Sequence, residues 1–317
     1  METPLNIPGY KIKKELGSGG MSRVYLAFEN KLKRPVALKV LLPHLANNSR
    51  IKRRFIKEAR TAAQLRHSNI VSIYDVGKEK DSYYISMEYL KESLKDRLRR
   101  SSSLKPEEAL HIVKETAKAL SYAHRKGFIH RDIKPDNIMF RGDGAIVLVD
   151  FGIVKVLKSA TRLTKTGVSI GTPKYMSPEQ VRASRIDGRA DIYSLGIVLY
   201  EALVGRAPYK AEDVIALAVK HAEEPVPQLP SRLKYYQPLI DKMLAKAPKD
   251  RVKNAEGVIR LIDAINFKVK QEKEAAATKS IKTRGKPRKP FLKYFIIILA
   301  AAGLVAGCVF LIAKFFI

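Results

Sequence analysis

The sequence is poor in cysteine and in acidic residues. Its single cysteine, Cys308, cannot form an internal disulfide, so no disulfide framework supports the fold. No group of histidine and cysteine residues has the spacing of a zinc site. Residues 1–9 are polar and lack the apolar stretch of a secretory signal peptide. These absences favour a reducing compartment.

The charge balance is strongly basic. There are 60 lysine and arginine residues against 31 acidic residues, a formal net charge of +29. Such an excess suits nucleic acid, anionic lipid or acidic substrates. The basic residues are spread over the whole chain, and no zinc-finger, basic-zipper or RNA-binding signature accompanies them. We therefore expect a solvated basic surface and no nucleic-acid partner, with one local exception near the C-terminus.

The most informative stretch is HRDIKPDN at residues 130–137, and DFG follows at residues 150–152. Phosphoryl transfer from a nucleotide needs a carboxylate to orient the incoming hydroxyl and a lysine to steady the charge of the moving group. It also needs Asn and Asp oxygens for Mg²⁺. The two motifs supply this set as Asp132, Lys134, Asn137 and Asp150. Either motif alone is also compatible with a solvated turn, but their occurrence together and in order favours catalysis.

The two motifs closely resemble the catalytic loop and magnesium-binding motif of bacterial eukaryotic-like (Hanks-type) serine/threonine protein kinases. The resemblance covers Tyr10 to about Phe267. It implies an α+β bilobal protein kinase fold, with a β-rich N-lobe and a helical C-lobe. It also implies ATP and Mg²⁺ as cofactors, Asp132 and Lys134 as catalytic residues, and Asn137 and Asp150 as metal ligands.

A glycine-rich stretch, GSGGMS at residues 17–22, lies between two predicted strands. A strand and not a helix follows the glycines, which argues against a dinucleotide-binding motif. The stretch resembles the kinase loop whose backbone N–H groups close over the ATP phosphates. Ser22 stands where the third glycine usually lies, and we expect it to restrict the loop without abolishing binding.

The resemblance places the remaining ATP contacts along the first 140 residues. Lys39 would contact the phosphates, held by Glu58 in a helix predicted over residues 48–65; a solvated glutamate is the alternative for Glu58. The backbone of Glu88 and Leu90 would bind the adenine edge. The predicted ATP-binding set is Leu16, Gly17, Ser18, Gly19, Gly20, Met21, Ser22, Arg23, Val24, Ala37, Lys39, Glu58, Glu88, Leu90 and Met139.

Further elements are predicted from periodicity and capping. Residues 70–76 and 83–87 are predicted strands, and residues 106–127 are a predicted helix that begins with proline and two glutamates. The resemblance implies that Asp191, near the start of a helix, braces the catalytic loop. It further implies that Arg251 is the buried partner of Glu179.

The segment between Asp150 and Glu179 contains five basic and no acidic residues, together with several Ser and Thr residues. Each phosphate would add about −1.5 to −2 of charge and oxygens that pair with arginine. We therefore expect phosphorylation to order this segment, and the resemblance favours Thr164 and Thr166 as the phosphosites. A Ser/Thr-rich loop without this role is the alternative. The resemblance further implies that Lys134 together with Thr172 favours Ser/Thr over Tyr specificity.

The C-terminal part changes in composition. Residues 295–313 carry no charge and would span about 28 Å as a helix, close to the thickness of a bilayer core. The predicted organisation is a kinase domain at 10–267, a basic juxtamembrane linker at 268–292, a transmembrane helix at 293–313 and a short extracytoplasmic tail at 314–317. A buried core helix is the alternative for the apolar run.

The charges around this run predict topology and partners. The basic flank predicts a cytoplasmic N-terminal side, hence a single-pass, tail-anchored protein of the cell membrane with its kinase domain inside. The same flank would attract anionic membrane lipid. The spacing of Gly303 and Gly307 permits close helix pairing and a possible homodimer.

Taken together, these patterns predict a membrane-anchored, ATP-dependent serine/threonine protein kinase. It would transfer the γ-phosphoryl group to Ser/Thr hydroxyls of protein substrates and autophosphorylate its activation loop. One alternative is a membrane-anchored pseudokinase scaffold, which only Ser22 supports. The other is a small-molecule kinase of related fold. Residues 171–179 argue against it, because they resemble the substrate-docking motif of protein kinases.

Overall fold

The computed structural model describes residues 6–80, 82–151 and 173–284, and the first of these ranges begins a β-rich lobe. Its elements are β1 (Tyr10–Ser18), β2 (Ser22–Glu29), β3 (Arg34–Leu41), α1 (Ser49–Gln64), β4 (Ile73–Glu79) and β5 (Ser82–Glu88). The five strands form one antiparallel sheet in the order β1-β2-β3-β5-β4. The register places Val24 opposite Lys39 and Ala37 opposite Met87, so residues of three strands lie side by side.

The second lobe is helical. Its elements are β6 (Glu92–Ser93), α2 (Leu94–Ser101), α3 (Pro106–Arg125), β7 (Ile138–Phe140), β8 (Ile146–Leu148), α4 (Pro178–Val181), α5 (Arg189–Val204), α6 (Val214–Glu223), α7 (Gln237–Leu244) and α8 (Ala255–Arg284). Strands β6, β7 and β8 form a small sheet in that order. The predicted bilobal kinase fold is therefore confirmed for this part of the chain.

The helix boundaries follow from local chemistry. Asn48 caps α1, because its side chain accepts hydrogen bonds from the backbone N–H groups of Arg50 and Ile51. Helix α3 begins at Pro106, as predicted, with acidic residues in its first turn where the helix dipole favours them. Both predicted helices are confirmed to within two residues at each end.

One strand prediction needs correction. The strand expected over residues 70–76 lies at Ile73–Glu79. Ile70 instead forms a parallel bridge with Leu148, and the Val71 N–H donates to the Leu148 carbonyl at 3.1 Å. These apolar residues therefore join the two lobes instead of extending the N-lobe sheet, a partnership that periodicity cannot reveal.

The C-lobe core is built around α5. Nearly every side chain of this helix is buried, in contact with α3 on one side and α7 on another. Burial of apolar surface at about 25 cal/mol per Å² makes such a core the dominant stabilising term. The predicted ion pair is confirmed at its edge: Arg251 Nη1 and Nη2 lie 2.6 and 2.8 Å from the two carboxylate oxygens of Glu179, and both side chains are buried.

The C-terminal helix runs past the predicted domain boundary. Helix α8 begins at Ala255 and continues through residues 267 and 268 to Arg284. The compact unit that contains both lobes ends at Ile265. In the three described ranges, no helix combines the length and the apolar composition needed to cross a bilayer. The predicted span at 293–313 lies outside these ranges.

Candidate active site

The catalytic-loop side chains surround the Asp132 carboxylate. Lys134 Nζ lies 3.1 Å from Asp132 Oδ2. Asn137 Nδ2 donates to the Asp132 backbone carbonyl at 2.8 Å and to its Oδ2 at 3.2 Å. An ionised carboxylate that accepts hydrogen bonds from fixed donors keeps one orientation. Asp132 and Lys134, predicted as catalytic residues, thus lie together with Asn137, predicted as a metal ligand, and the three roles stay predictions.

The loop backbone is held from below by Asp191. Its carboxylate accepts hydrogen bonds from the backbone N–H groups of His130 (2.8 Å) and Arg131 (2.7 Å), and it lies 2.8 Å from His124 Nε2. Arg131 has φ of +65°, a conformation that costs energy for a residue with a side chain. The buried carboxylate of α5 compensates for that strain, and the predicted bracing contact is confirmed.

Asp150 reaches the same place from the end of β8. Its φ is +57°, and the next residue, Phe151, is fully buried against the His130 ring at 4.7 Å between centroids. His130 also contacts the Val149 carbonyl through Nε2 at 2.9 Å. Burial lowers the pKa of His130, so its imidazole is neutral and serves as a packing and hydrogen-bonding unit.

Lys39 connects the two lobes electrostatically. Its Nζ lies 2.7 Å from Glu58 Oε1 on α1 and 2.8 Å from Asp150 Oδ1. Burial alone would lower the pKa of Lys39, but the two carboxylates outweigh it and raise that pKa above its ordinary value. The predicted pairing of Lys39 with Glu58 is confirmed, and the solvated alternative for Glu58 is wrong.

The pKa values of the two carboxylates beside Lys39 are shifted in opposite directions. Burial raises the pKa of Glu58, even though the lysine favours its ionised form. Burial also opposes ionisation of Asp150, but Lys39 outweighs it and holds the pKa of Asp150 below its ordinary value. Asp150 therefore carries a full negative charge at neutral pH, as a metal ligand requires.

An apolar cluster lines the cleft between the lobes. It contains four residues of the predicted ATP-binding set, Val24, Ala37, Leu90 and Met139, together with Met87, which directly precedes Glu88. Ile73, Val71, Val147 and Val149 complete it, and the prediction missed all four as pocket residues. No local pattern marks them, because their position depends on the bridge between the lobes. An apolar slot of this kind suits a flat heterocyclic base.

The other predicted ATP residues surround this cluster. Glu88, whose backbone was predicted to bind the adenine edge, donates its N–H to the Ser72 carbonyl. Its carboxylate forms an ion pair with Arg141. Gly19 N–H donates to the Ser22 carbonyl at 2.8 Å, closing the turn between β1 and β2. Ser22 is buried, whereas the remaining loop residues are exposed or half-buried: Leu16, Gly17, Ser18, Gly20, Met21 and Arg23.

A cavity of about 470 Å³ opens on the other side of Asp132. Two ion pairs line it: Lys95 Nζ lies 2.5 Å from Asp136 Oδ1, and Lys174 Nζ lies 2.6 Å from Glu201 Oε1. The Tyr175 hydroxyl donates to the same Glu201 at 2.6 Å. Lys95 and Glu201 were not predicted as site residues, because isolated charged residues in a helix carry no local signal of a site.

The donor set is compatible with Mg²⁺ held jointly with a nucleotide. In the part of the chain that the structure describes, no three His, Cys, Asp or Glu side chains converge as a self-sufficient metal site. Val149 N–H donates to the Asn137 carbonyl at 2.9 Å, which places Asn137 next to Asp150. Mg²⁺ in nucleotide sites uses one or two protein oxygens plus phosphates, so this pair fits. The predicted phosphosites Thr164 and Thr166 lie outside the described residues, as does Gly152.

Comparison with known proteins agrees with this geometry. Residues 10–260 match the protein kinase domain family, and the chain belongs to that family. It is 42% identical over 252 residues to serine/threonine-protein kinase PrkC of Bacillus subtilis (strain 168), covering 78% of this chain and 39% of that protein. It is 38% identical over 267 residues to PknB of Mycobacterium tuberculosis, covering 80% and 42%.

Solved structures show the same fold. The crystal structure of the PknI kinase domain from Mycobacterium tuberculosis matches with a TM-score of 0.64 at 28% identity, covering 84% of this chain and 99% of that one. The chain spans about two fifths of the length of the first curated relatives that it matches.

Proposed function

We propose that this chain is an ATP-dependent serine/threonine protein kinase. The observation that carries the proposal is the position of Lys39, which contacts both Glu58 and Asp150 next to the loop that holds Asp132, Lys134 and Asn137. This arrangement joins a nucleotide site in the N-lobe to a hydroxyl-orienting carboxylate in the C-lobe. The named serine/threonine kinases among its relatives support the choice of acceptor.

Binding precedes chemistry in this site. The adenine enters the apolar cluster between Ala37 above and Met139 below, and Lys39 contacts the phosphates. Because Lys39 is permanently charged and held by Glu58, it meets the phosphates in a fixed position without reorganisation. When bound, Mg²⁺ would be held by Asn137 and Asp150 and would neutralise charge on the phosphates.

Transfer then requires a correctly placed hydroxyl. A protein segment in the cavity beside Asp132 presents its Ser or Thr hydroxyl to that carboxylate, which orients it and accepts its proton. Lys134, 3.1 Å from Asp132, stabilises negative charge on the moving phosphoryl group. Asn137 keeps the carboxylate from rotating away.

The pseudokinase alternative predicts missing catalytic side chains, whereas every one of them is present and ordered by contacts. Ser22 is buried at the start of β2 and hydrogen-bonds within the turn only through its backbone carbonyl. The small-molecule alternative predicts a narrow acceptor site. The acceptor cavity of about 470 Å³ is instead bounded by Tyr175 and Met176, part of the segment at residues 171–179.

Autophosphorylation tests the proposal. The full chain is incubated with Mg-ATP, phosphate is mapped by mass spectrometry, and Asp132→Asn is compared with the matched surface variant Asp143→Asn. We expect Asp132→Asn to lower turnover by about 10²–10⁴-fold, as removal of a general base does, with ATP affinity retained. Asp143, exposed in the turn before β8, serves as the neutral control. Full activity of Asp132→Asn would refute the assignment.

Regulation by phosphorylation is part of the proposal. The basic segment after Asp150 would be ordered by phosphate on Thr164 and Thr166, against Arg131 and Lys155. Replacing both threonines with alanine is expected to reduce activity by about tenfold or more, because repulsion among the basic side chains then persists. Undiminished activity of the double variant would exclude this switch.

Membrane anchoring is also proposed, on the strength of the uncharged run and its basic flank. Residues 293–313 would span the bilayer once, with the kinase domain on the cytoplasmic side, and Gly303 and Gly307 would pair two chains. Flotation of the full chain with vesicles after alkaline extraction tests the anchor. Gly303→Ile tests the pairing, since a bulky residue there keeps two helices apart and would reduce cross-linked dimer.

A further inference from the structure

Helix α1 carries an unusual concentration of positive charge. Residues 50–60 contain six basic residues and one acidic residue, Glu58. Glu58 points inward to Lys39, so it does not offset the others. The inner side of the helix is apolar and packed, with Phe55, Ala59 and Ala62 buried. Five of the six lie on one side of the helix and form what we name the basic face: Arg50, Arg53, Arg54, Lys57 and Arg60. Lys52 lies on the opposite side, where its Nζ is 5.6 Å from the centre of the Tyr83 ring, a cation–π contact.

Within the described residues, the basic face has no counter-charge. In residues 6–80, 82–151 and 173–284, no carboxylate forms an ion pair with any of its five side chains. Arg53 Nε donates to the Ser49 carbonyl one turn earlier, at 3.3 Å. Arg50, Arg53, Lys57 and Arg60 are exposed.

The arrangement of these positive charges is unfavourable for the helix itself. The pairs Arg50–Arg54 and Arg53–Lys57 are four residues apart, a spacing at which like charges repel and destabilise a helix. The first turn of α1 contains basic residues and no acidic one, the reverse of what the helix dipole favours. Helix stability therefore gives no reason for this charge, whereas contact with an external anion would relieve the repulsion.

The shape of the face indicates the kind of anion. The cations are long side chains spread over about 15 Å of helix, given 1.5 Å per residue. Neither the cavity beside Asp132 nor the small cavity beside Lys39 and Glu58 is lined by any of them. Recognition of a defined acidic peptide uses fixed pockets or bidentate arginine contacts. Mobile cations over a broad surface instead suit a diffuse negative potential such as that of anionic lipid headgroups.

We propose that the basic face of α1 docks on an anionic lipid bilayer. The inference rests on the proposed membrane anchor, which would keep the kinase domain close to the bilayer surface. It is distinct from lipid attraction by the basic linker, because it concerns the folded N-lobe. Since the same helix carries Glu58, such contact would restrain the element that positions Lys39.

Lysine accessibility tests the docking. The full chain is reconstituted in vesicles of phosphatidylcholine, or of phosphatidylcholine with phosphatidylglycerol, and treated with a water-soluble amine-acylating reagent. Mass spectrometry then quantifies Lys57, with the exposed C-lobe residues Lys234 and Lys253 as internal controls. We expect acylation of Lys57 to fall about fivefold or more in the anionic vesicles, with the two controls unchanged. High salt is expected to remove the protection, because it screens surface charge.

Two variants that lose the same number of positive charges distinguish an effect of the basic face from an effect of net charge. One variant replaces Arg50, Arg53 and Arg54 with Gln, and the other replaces the exposed C-lobe residues Arg206, Arg232 and Arg260 with Gln. Both lose three positive charges. Only the first is expected to abolish the lipid-dependent protection of Lys57. Equal loss in both variants would overturn the proposal, because protection would then follow net charge alone.

The remaining outcomes are distinguishable. A chain that floats with both kinds of vesicle but shows equal acylation of Lys57 in both keeps the anchor and overturns the docking. A chain that floats with neither overturns the anchor and, with it, the docking. Protection of Lys57 by a soluble poly-glutamate peptide, without protection by anionic vesicles, would overturn the lipid in favour of an acidic protein segment.

Discussion

Lys39 and Asp150 are separated by 111 residues, and Lys39 Nζ lies 2.8 Å from Asp150 Oδ1. The first residue belongs to the central strand β3 of the N-lobe, and the second follows β8 of the C-lobe. Their ion pair fixes how the lobes meet, and Glu58 adds a second carboxylate to the same ammonium group. The position of α1 is thereby coupled to the site, which leads to the first prediction.

Glu58→Gln is expected to lower kcat/KM for ATP by roughly a hundredfold, because a misplaced Lys39 no longer meets the phosphates in the productive geometry. The amide keeps the shape of the side chain but removes its charge. Steady-state kinetics at varied ATP concentration measure the effect. Glu212→Gln, at an exposed position before α6, should leave the rate unchanged. A Glu58→Gln enzyme within twofold of the parent would show that the pair is dispensable.

Asp191→Asn should slow catalysis more than it weakens ATP binding. In the parent protein the Asp191 carboxylate accepts hydrogen bonds from the backbone N–H groups of His130 and Arg131. In the variant, the amide nitrogen must face one of these two donors. A buried donor left without an acceptor costs about 1–3 kcal/mol and frees the strained backbone of Arg131. We expect kcat to fall about a hundredfold while KM for ATP changes little.

The controls for Asp191 are kinetic and thermodynamic. Denaturant titration should record the stability loss in Asp191→Asn and none in Asp143→Asn. If Asp191→Asn raised KM for ATP and left kcat intact, the loop-bracing role would be rejected in favour of an effect on the nucleotide pocket.

The buried pair of Glu179 and Arg251 predicts a strong stability effect. Removing one partner leaves an uncompensated buried charge, which costs about 3–5 kcal/mol. Arg251→Met should therefore lower the urea midpoint sharply, whereas the exposed Arg185→Met should not. The double variant Arg251→Met/Glu179→Leu is expected to recover part of the loss, since no lone charge remains buried. Additive losses in the double variant would argue that the two side chains act independently.

His221 predicts a loss of stability in mild acid. Burial and, after it, the nearby Lys246 lower the pKa of His221 to about 4. Below about pH 6.5 the unfolded chain binds a proton on this imidazole, while the folded chain does not until about pH 4. Protonation therefore favours unfolding in that interval, and the contribution amounts to about 3 kcal/mol.

Urea titrations at pH 7 and pH 4.5 measure this effect. His221→Gln should show a smaller fall in unfolding free energy between the two pH values than the parent. His111→Gln, an exposed position on α3, should retain the full fall. Equal pH dependence in the parent and His221→Gln would mean that other groups account for the acid sensitivity.

Much of the site follows from the sequence. The residues 130–137 and 150 carry so many chemically constrained positions in order that the catalytic set was predicted residue by residue. Helix ends at Asn48 and Pro106 were predicted because caps and first-turn charges act within a few residues. The partner choices of Lys39 and Arg251 came from the resemblance to protein kinases, and the distances confirm them. The phosphosites and the membrane span stay predictions.

Tertiary structure alone decided what depends on distant segments meeting. Ile70 and Val71 do not belong to the strand predicted there, because both make backbone contacts with Leu148, which is distant in the sequence. The positive φ of Arg131 is tolerated only because Asp191 accepts the loop N–H groups. The basic residues of α1 were visible in the sequence, but it did not show that no carboxylate among the described residues forms an ion pair with the basic face. Sequence patterns record forces that act within a few residues, whereas the balance of charge and packing across the fold depends on every neighbour.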